Sequence, residues 1–336
     1  MLNILQGGRG LAAIAVLLLH TSITVKNLTG IAPYWEVTQF GGRGVDFFFV
    51  LSGFILMRAH KTHIGQPKMW KNFVKKRFIR IFPIYWFYTL LVVIALTAGL
   101  GNFPLPQTGA DWLTTFSLLP ITDVSTPLPQ AWSLFHEMIF YIGFLLLILN
   151  RPLGCAFLAS WFIASAASLE VIPESGDPTL VVFNSYNINF ALGIGAYYAV
   201  SYIKRMELLV AGIGLSLVLF ATTIIGVSSF AIFGFGCALL IAASASFEEN
   251  RRLNIPIAAL LGNASYSIYL THEVGIVVSV KVTQALNITN PHVLFFIISL
   301  SSLVLGILAY HVIERPLLAL LRSEPWLRIR RIKYRF

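Results

Sequence analysis

Ten apolar stretches divide this chain, at 10–27, 44–58, 79–100, 131–150, 154–172, 179–202, 208–226, 229–246, 264–284 and 293–313. Crossing the hydrocarbon core of a bilayer takes about 20 residues of helix, with some latitude for tilt. The second stretch is short and Asn184, Asn187 and Asn189 interrupt the sixth, so nine or eleven spans stay open beside ten. Of the 336 residues, 57% are hydrophobic and 11% charged, against about 25% charged in an ordinary soluble domain. The expected fold class is all-α: a polytopic transmembrane helix bundle in the lipid bilayer, forming one membrane domain over residues 1–336.

Loop charges orient the bundle. With ten spans and both termini in the cytoplasm, every basic residue except Lys26, Arg43 and Lys281 falls on the inner side, in accord with the positive-inside rule. The inner groups run from Arg58 to Arg80 and continue with Arg151, Lys204, Arg205, Arg251, Arg252 and the basic tail at 315–336. The outer connection at 101–130 holds Asp111 and Asp123 but no Lys or Arg, and the one near 173–178 holds Glu174 and Asp177. The net charge of +10 therefore reads as anchoring beside anionic headgroups, and nucleic acid is not an expected partner. The first apolar run continues past His20 to Val25 without a small-x-small cleavage site, so it reads as a span and not as a signal peptide. Cys155 and Cys237 both lie in apolar runs, leaving no disulfide framework or CxxC metal site. No Walker loop, HExxH or GxSxG motif stands out, which argues against a nucleotide-driven pump or a zinc hydrolase, and no metal is expected.

Ionisable residues inside a membrane are costly and therefore point to function. Arg9 and His20 are eleven positions apart. That spacing is three helical turns plus about 20° and about 16 Å of rise, so both project from one face at different depths. His20 lies roughly 10 Å below the outer end of its span and Glu137 roughly 9 Å below the outer end of the fourth. Asp46 opens the second span on the same side. A histidine oriented by a carboxylate, here Glu137 or Asp46, is a minimal general base, and imidazole suits that work at neutral pH. The plainer reading makes each an interhelical hydrogen-bonding group; shared depth, with Arg9 on the same face as His20, favours chemistry. His136 projects about 100° from Glu137, and His272 and His311 read as structural. At the inner mouth of the third span Arg77 and Arg80 share a face, and arginine is suited to bidentate phosphate contacts.

These residues fall into motifs that resemble the acyltransferase-3 family of integral membrane acyltransferases, in particular its short bacterial members that O-acetylate exopolysaccharide. The matching segments are Arg9-Gly10-Leu11-Ala12 with His20; Gly44-Val45-Asp46-Phe47-Phe48-Phe49-Val50-Leu51-Ser52-Gly53-Phe54; and Arg77-Phe78-Ile79-Arg80-Ile81-Phe82-Pro83-Ile84-Tyr85-Trp86. Two more follow in order: Trp132-Ser133-Leu134 with Glu137, Phe140 and Tyr141, then Ser265-Tyr266-Ser267-Ile268-Tyr269-Leu270 with His272. The resemblance implies about ten spans in a bacterial inner membrane, an acyl-CoA donor (acetyl-CoA) on the cytoplasmic side, and a glycan hydroxyl as acceptor. The glycan could be an exopolysaccharide, an O-antigen or a lipid-linked sugar, delivered by polysaccharide-assembly proteins. It also implies that Arg9, His20, Asp46, Arg77, Arg80 and Glu137 correspond to family functional positions. Some members carry a soluble hydrolase-like domain after the membrane part; any step it performs is expected here to be absent or supplied by another protein.

The expected mechanism places donor phosphates on Arg9, Arg77 or Arg80 and the pantetheine arm along the first helix. His20, with Glu137 or Asp46, then acts as general base on the sugar hydroxyl or carries the acyl group transiently. Trp132 and Ser133 are expected to position substrate at the outer end of the fourth helix. The competing class is a proton-coupled transporter or flippase, for which no inverted repeat or matching pair of broken helices stands out.

Overall fold

A computed structural model describes residues 2–99, 104–124, 126–168, 178–224, 227–249, 251 and 255–323, and among them there is no strand. Glu174, Asp177, Arg252 and the tail beyond Ser323 lie outside the described residues. Ten helices dominate, each lying on one of the apolar stretches: α1 (Asn3–Thr29), α2 (Gly44–His60), α3 (Trp70–Thr97), α4 (Trp132–Leu149), α5 (Arg151–Ala167), α6 (Ile188–Ala199), α7 (Glu207–Ala221), α8 (Val227–Glu249), α9 (Pro256–Ala285) and α10 (Pro291–Ala309). Among the described residues, six helical segments are long and apolar enough to cross a membrane: Asn3–Thr29, Trp35–His63, Pro67–Thr97, Pro129–Leu149, Ser229–Glu249 and Pro291–Arg322.

Close backbone contacts hold the bundle, as expected where lipid is as apolar as the side chains and small residues allow helices to approach. On α1, a Cβ at Gly7 would stand 3.2 Å from the Ala258 Cβ, and one at Gly10 would stand 2.5 Å from that of Leu261. Both contacts are in increasing order, so α1 and α9 run parallel. On α2, a Cβ at Gly53 would stand 2.2 Å from the Phe190 carbonyl oxygen of α6, and one at Gly193 would stand 1.9 Å from that of Val50. Phe190 then stacks between Phe49 and Phe140, with ring centroids 4.7 and 4.4 Å away, and joins α2, α6 and α4 into one aromatic core. The start of α1 is held electrostatically: the Asn3 and Ile4 amides donate to the Glu248 carboxylate at 2.7 and 3.1 Å, a negative group at the positive end of a helix.

Three segments differ from the sequence reading. The third helix starts at Trp70, well before the apolar stretch, because Lys and Arg are good helix formers and nothing between Trp70 and Ile81 stops the turn. Lys75 to Arg80 therefore stand on one regular helix that begins before the third apolar stretch. The sixth stretch is broken: the Asn184 side chain accepts from the Tyr186 amide at 2.9 Å and starts a separate turn, the local competition by which Asn interrupts helices. The connection at 101–130 is more than a loop. It holds a helix, Gly109–Ser117, opened by a Thr108–Asp111 capping box, whose hydrogen bonds, Thr108 first, keep the Asp111 carboxyl below its ordinary range. The end of that helix docks on α3, where Tyr85 and Trp86 donate to the Thr115 and Phe116 carbonyls, each at 2.8 Å.

The Gly193 contact yields a paired stability test. Gly193→Ala must push the backbones of α2 and α6 apart and is expected to cost about 1–3 kcal/mol. Gly195→Ala, which meets nothing within 4 Å, is expected to be neutral or slightly stabilising. Thermal unfolding of the two detergent-solubilised variants checks this; equal melting temperatures would remove the close contact.

Candidate active site

Helices α1, α2, α3, α4 and α9 enclose a cavity of about 700 Å³. Its charged lining is Arg9, Arg58, Arg77, Arg80 and Glu137: four guanidinium groups against one carboxylate. Arg58 sits 3.4 Å from Glu249. Arg9 donates to the Gln6 side chain at 3.1 Å, and the Arg77 guanidinium lies 5.6 Å from the Tyr141 ring centroid. The Arg77 Nε is buried with no hydrogen-bond partner among the described residues. Glu137 accepts from Ser52 at 3.1 Å and from the Tyr141 hydroxyl. Local helical spacing explains the grouping, since Arg77 and Arg80 are one turn apart on α3 and Glu137 and Tyr141 one turn apart on α4. Arg58 and Arg80 are exposed and Arg9 and Arg77 half-buried; the excess of positive charge around one space favours an anion, because like charges repel one another unless a counter-charge enters.

One wall of the cavity is Ser133 and Tyr269. The Ser133 Oγ is 2.8 Å from the Tyr269 hydroxyl, which also donates to the Gln130 carbonyl at 3.1 Å. Behind this wall the Tyr269 ring lies 5.9 Å from that of His272, which lies 5.0 Å from the His20 ring. His20 does not line the cavity. Its Nδ1 is 2.9 Å from the Val16 carbonyl and its Nε2 is 3.7 Å from Glu273 Oε1.

The structure thus gathers Arg9, Arg77, Arg80, Glu137 and Ser133 around one space and sets the other expected site residues elsewhere. His20 stands beside Glu273, and beside neither Glu137 nor Asp46, because its face of α1 is turned towards α9. Asp46 is fully buried, bonded to the Asn189 side chain at 2.7 Å and 4.0 Å from Arg43. Arg43 in turn lies 3.5 Å over the Phe230 ring and donates to Ser229. Asp46 therefore ties α2 to α6 and α8 and does not orient His20. Trp132 also leaves the cavity lining, packing on His136 and Tyr186 at 5.7 and 5.5 Å. His272, read as structural, belongs to the His20 cluster. Glu273 is absent from the expected site residues; its signal in the sequence is a carboxylate within the ninth apolar stretch, and its partners follow only from the rotation of α9.

The model of the Acyl_transf_3 acyltransferase domain matches residues 2–311. The chain belongs to that family. It is 31% identical to the exopolysaccharide production protein ExoZ of Rhizobium meliloti (strain 1021), over 83% of this chain and 90% of that relative. It is 28% identical to a Komagataeibacter xylinus protein named "Putative membrane-bound transacylase BcsY", over 82% of this chain and 73% of the relative. A Bacillus subtilis (strain 168) protein named "Putative peptidoglycan O-acetyltransferase YrhL" is 26% identical over 93% of this chain, which spans only 54% of it. No solved structure matches. Membership in this family, with the apolar helices, makes the chain a multi-pass helical membrane protein of acyltransferase type.

Two carboxylates with different roles should separate by experiment. Asp46→Ala removes the counter-charge of the half-buried Arg43 and the Asn189 hydrogen bond and is expected to cost about 1–3 kcal/mol, read as lost folded yield and a lower melting temperature. Glu273→Gln, at a partly exposed carboxylate, is expected to fold like wild type. A stable Asp46→Ala protein would dismiss the structural assignment.

Proposed function

We propose that this protein is a membrane O-acyltransferase that moves an acyl group, acetyl, from cytoplasmic acyl-coenzyme A to a hydroxyl of an exported or cell-surface glycan. It acts as one domain of ten spans in a bacterial inner membrane, with both termini cytoplasmic and the acceptor supplied by polysaccharide-assembly proteins. The observation that carries the reading is the convergence of Arg9, Arg77 and Arg80 on one cavity whose far wall leads, through Tyr269 and His272, to His20 and Glu273. The names of ExoZ, BcsY and YrhL refer to exopolysaccharide production, transacylation and O-acetylation, and they point the same way.

The donor's phosphates bind the arginines, where planar forks with several donors suit phosphate oxygens. The thioester arm lies along α1 towards His20, about 16 Å of rise above Arg9. His20, held by its Val16 contact and faced by the Glu273 carboxylate, takes the proton from the sugar hydroxyl as the oxygen attacks the thioester carbonyl. The new C–O bond replaces the C–S bond, and the thiolate leaves with the proton that His20 returns. In a second form the His20 Nε2 attacks the thioester carbonyl first, the N–C bond replacing C–S as the thiolate leaves; the sugar oxygen then displaces the imidazole, giving its proton to Glu273, from which it passes to the thiolate. Glu273 serves both forms by stabilising positive charge on the ring.

Purified protein in lipid nanodiscs, given labelled acetyl-coenzyme A and glycan oligosaccharides, is expected to label the oligosaccharide. His20→Ala is expected to lose roughly 10²–10⁴-fold in rate, the range for removal of a general acid–base group. Wild-type labelling by His20→Ala at equal protein level, or glycan movement without covalent change, would overturn the reading. Arg77→Ala and Arg80→Ala are each expected to weaken donor binding by about tenfold or more, since hydrogen bonds to charged groups are worth about 1.5–3 kcal/mol. Unaltered affinity in both variants would take the phosphates out of this cavity.

A further inference from the structure

The His20, His272 and Glu273 side chains form a cluster whose chemistry goes beyond an acid–base pair. Their ligating atoms all lie within 4.8 Å of one another, and both His Nε2 atoms are 3.7 Å from Glu273 Oε1. Each ring turns Nδ1 towards a backbone carbonyl, His20 to Val16 at 2.9 Å and His272 to Tyr269 at 2.6 Å. A carbonyl oxygen only accepts, so Nδ1 carries the proton in both neutral rings and Nε2 presents its lone pair. Two nitrogen lone pairs and a carboxylate oxygen therefore converge. His272 is 1% exposed, and its Nε2 has no hydrogen-bond partner among the described residues, which is costly for a buried polar atom.

A proton on His20 does not resolve this arrangement, because at 3.7 Å it makes no hydrogen bond to Glu273 and the His272 lone pair stays unsatisfied. A divalent transition-metal ion resolves it by accepting all three groups. We propose that His20, His272 and Glu273 bind one such ion, of the class of Zn²⁺, with a fourth position open to water. Two imidazoles and one carboxylate form a well-known donor set for Zn²⁺. Zinc–ligand bonds of about 2.0–2.2 Å in a tetrahedron hold donor atoms roughly 3.3 Å apart; the two His–Glu273 separations are 3.7 Å and all three lie within 4.8 Å, so the side chains must draw together on binding. Hydrogen bonds from Nδ1 to carbonyl oxygens are the outer contacts that fix the tautomer and ring orientation of metal-binding histidines. The His20 and Glu273 side chains are 26% and 18% exposed, which gives the ion a way in.

The consequence is inhibitory. A bound ion occupies the Nε2 lone pair with which His20 would take a proton or an acyl group, so ion and acyl transfer exclude each other. This step rests on the function proposed above; the binding itself does not.

The test uses full-length, tag-free protein in nanodiscs, stripped with a chelator and titrated with ZnCl₂ by calorimetry. Because His60 and His63 form a separate pair, with Nδ1 atoms 3.0 Å apart, His63→Ala serves as the control. One Zn²⁺ per chain is expected, with affinity reduced at least tenfold in His272→Ala and in Glu273→Gln and unchanged in His63→Ala. Thermal unfolding without zinc confirms that the variants are folded. No saturable binding, or binding that survives Glu273→Gln and disappears in His63→Ala, overturns the site while leaving the acyltransferase reading intact. Zinc is further expected to slow labelling of the glycan by wild type, with recovery on adding chelator; bound zinc that leaves the rate unchanged overturns the masking of His20.

Discussion

Along the seam between α1 and α9 the backbones lie so close that a Cβ at Gly10 would fall 2.5 Å from that of Leu261 and one at Gly262 would fall 2.4 Å from the Gln6 carbonyl. Lipid supplies no hydrophobic drive to bring these helices together, so the seam relies on van der Waals contact between surfaces with few side-chain atoms in the way. Close approach also removes freedom of rotation. A one-residue slip would turn α1 by about 100° and put side chains where the glycines now are. The same register places His20 beside His272 and Glu273 and leaves Arg9 open to the cavity below. Both ends of the site thus depend on where Gly7, Gly10 and Gly262 sit.

The cavity is the second consequence. Its wall includes Phe48, Leu51, Ile55 and Leu134, and the only carboxylate among its lining residues, Glu137, is already engaged by Ser52 and Tyr141. Arg58 and Arg80 reach solvent and Arg58 has Glu249 beside it, while Arg9 and Arg77 are half-buried; like charges gathered this closely repel one another, most strongly where water is partly excluded. A protein keeps such an arrangement where a ligand supplies the missing negative charge. On the proposed reading an anionic donor stabilises this part of the fold as it binds, since anything that binds only the folded state adds to stability.

Much of this was legible in the sequence, and what was not has a common cause. The apolar stretches locate the helices because their composition is set by lipid, which acts on each segment independently. Arg77 and Arg80 share a face by local geometry, and so do Glu137 and Tyr141. Depth along one helix follows from its rise, but rotation towards a neighbour does not. His20 and Glu137 were matched by depth, yet one faces α9 and the other faces α2 and the arginines. Asp46 looked like a site residue on the same grounds, and only the approach of α6 and α8 reveals its ties to Asn189 and Arg43. Docking of the Gly109–Ser117 helix on Tyr85 and Trp86 was hidden for the same reason: it rests on side-chain bonds to carbonyls 30 residues away.

Separation of the arginine cavity from His20 carries a mechanistic demand. The wall between them is Ser133 and Tyr269, with the Tyr269 hydroxyl bonded to Ser133 at 2.8 Å and to the Gln130 carbonyl at 3.1 Å. On the proposed reading the thioester must pass this wall while the donor's phosphates stay on the arginines. A neutral hydrogen bond contributes about 1 kcal/mol net, so these two bonds oppose the opening by about 2 kcal/mol, to which the packing of the Tyr269 ring on Phe48 and His272 adds, while each hydrogen bond to a charged phosphate contributes about 1.5–3 kcal/mol. Binding energy from the remote end of the donor can therefore open the path at the reacting end, which is how an enzyme uses contacts far from the chemistry. In this structure the same wall stands between the His20 cluster and the arginine cavity, whose lining includes Ser133 and Tyr269 and not His20. On that reading the Tyr269 hydroxyl matters twice, closing the wall through its bonds to Ser133 and Gln130 and yielding to a donor held by its phosphates, and a phenylalanine would lack both bonds.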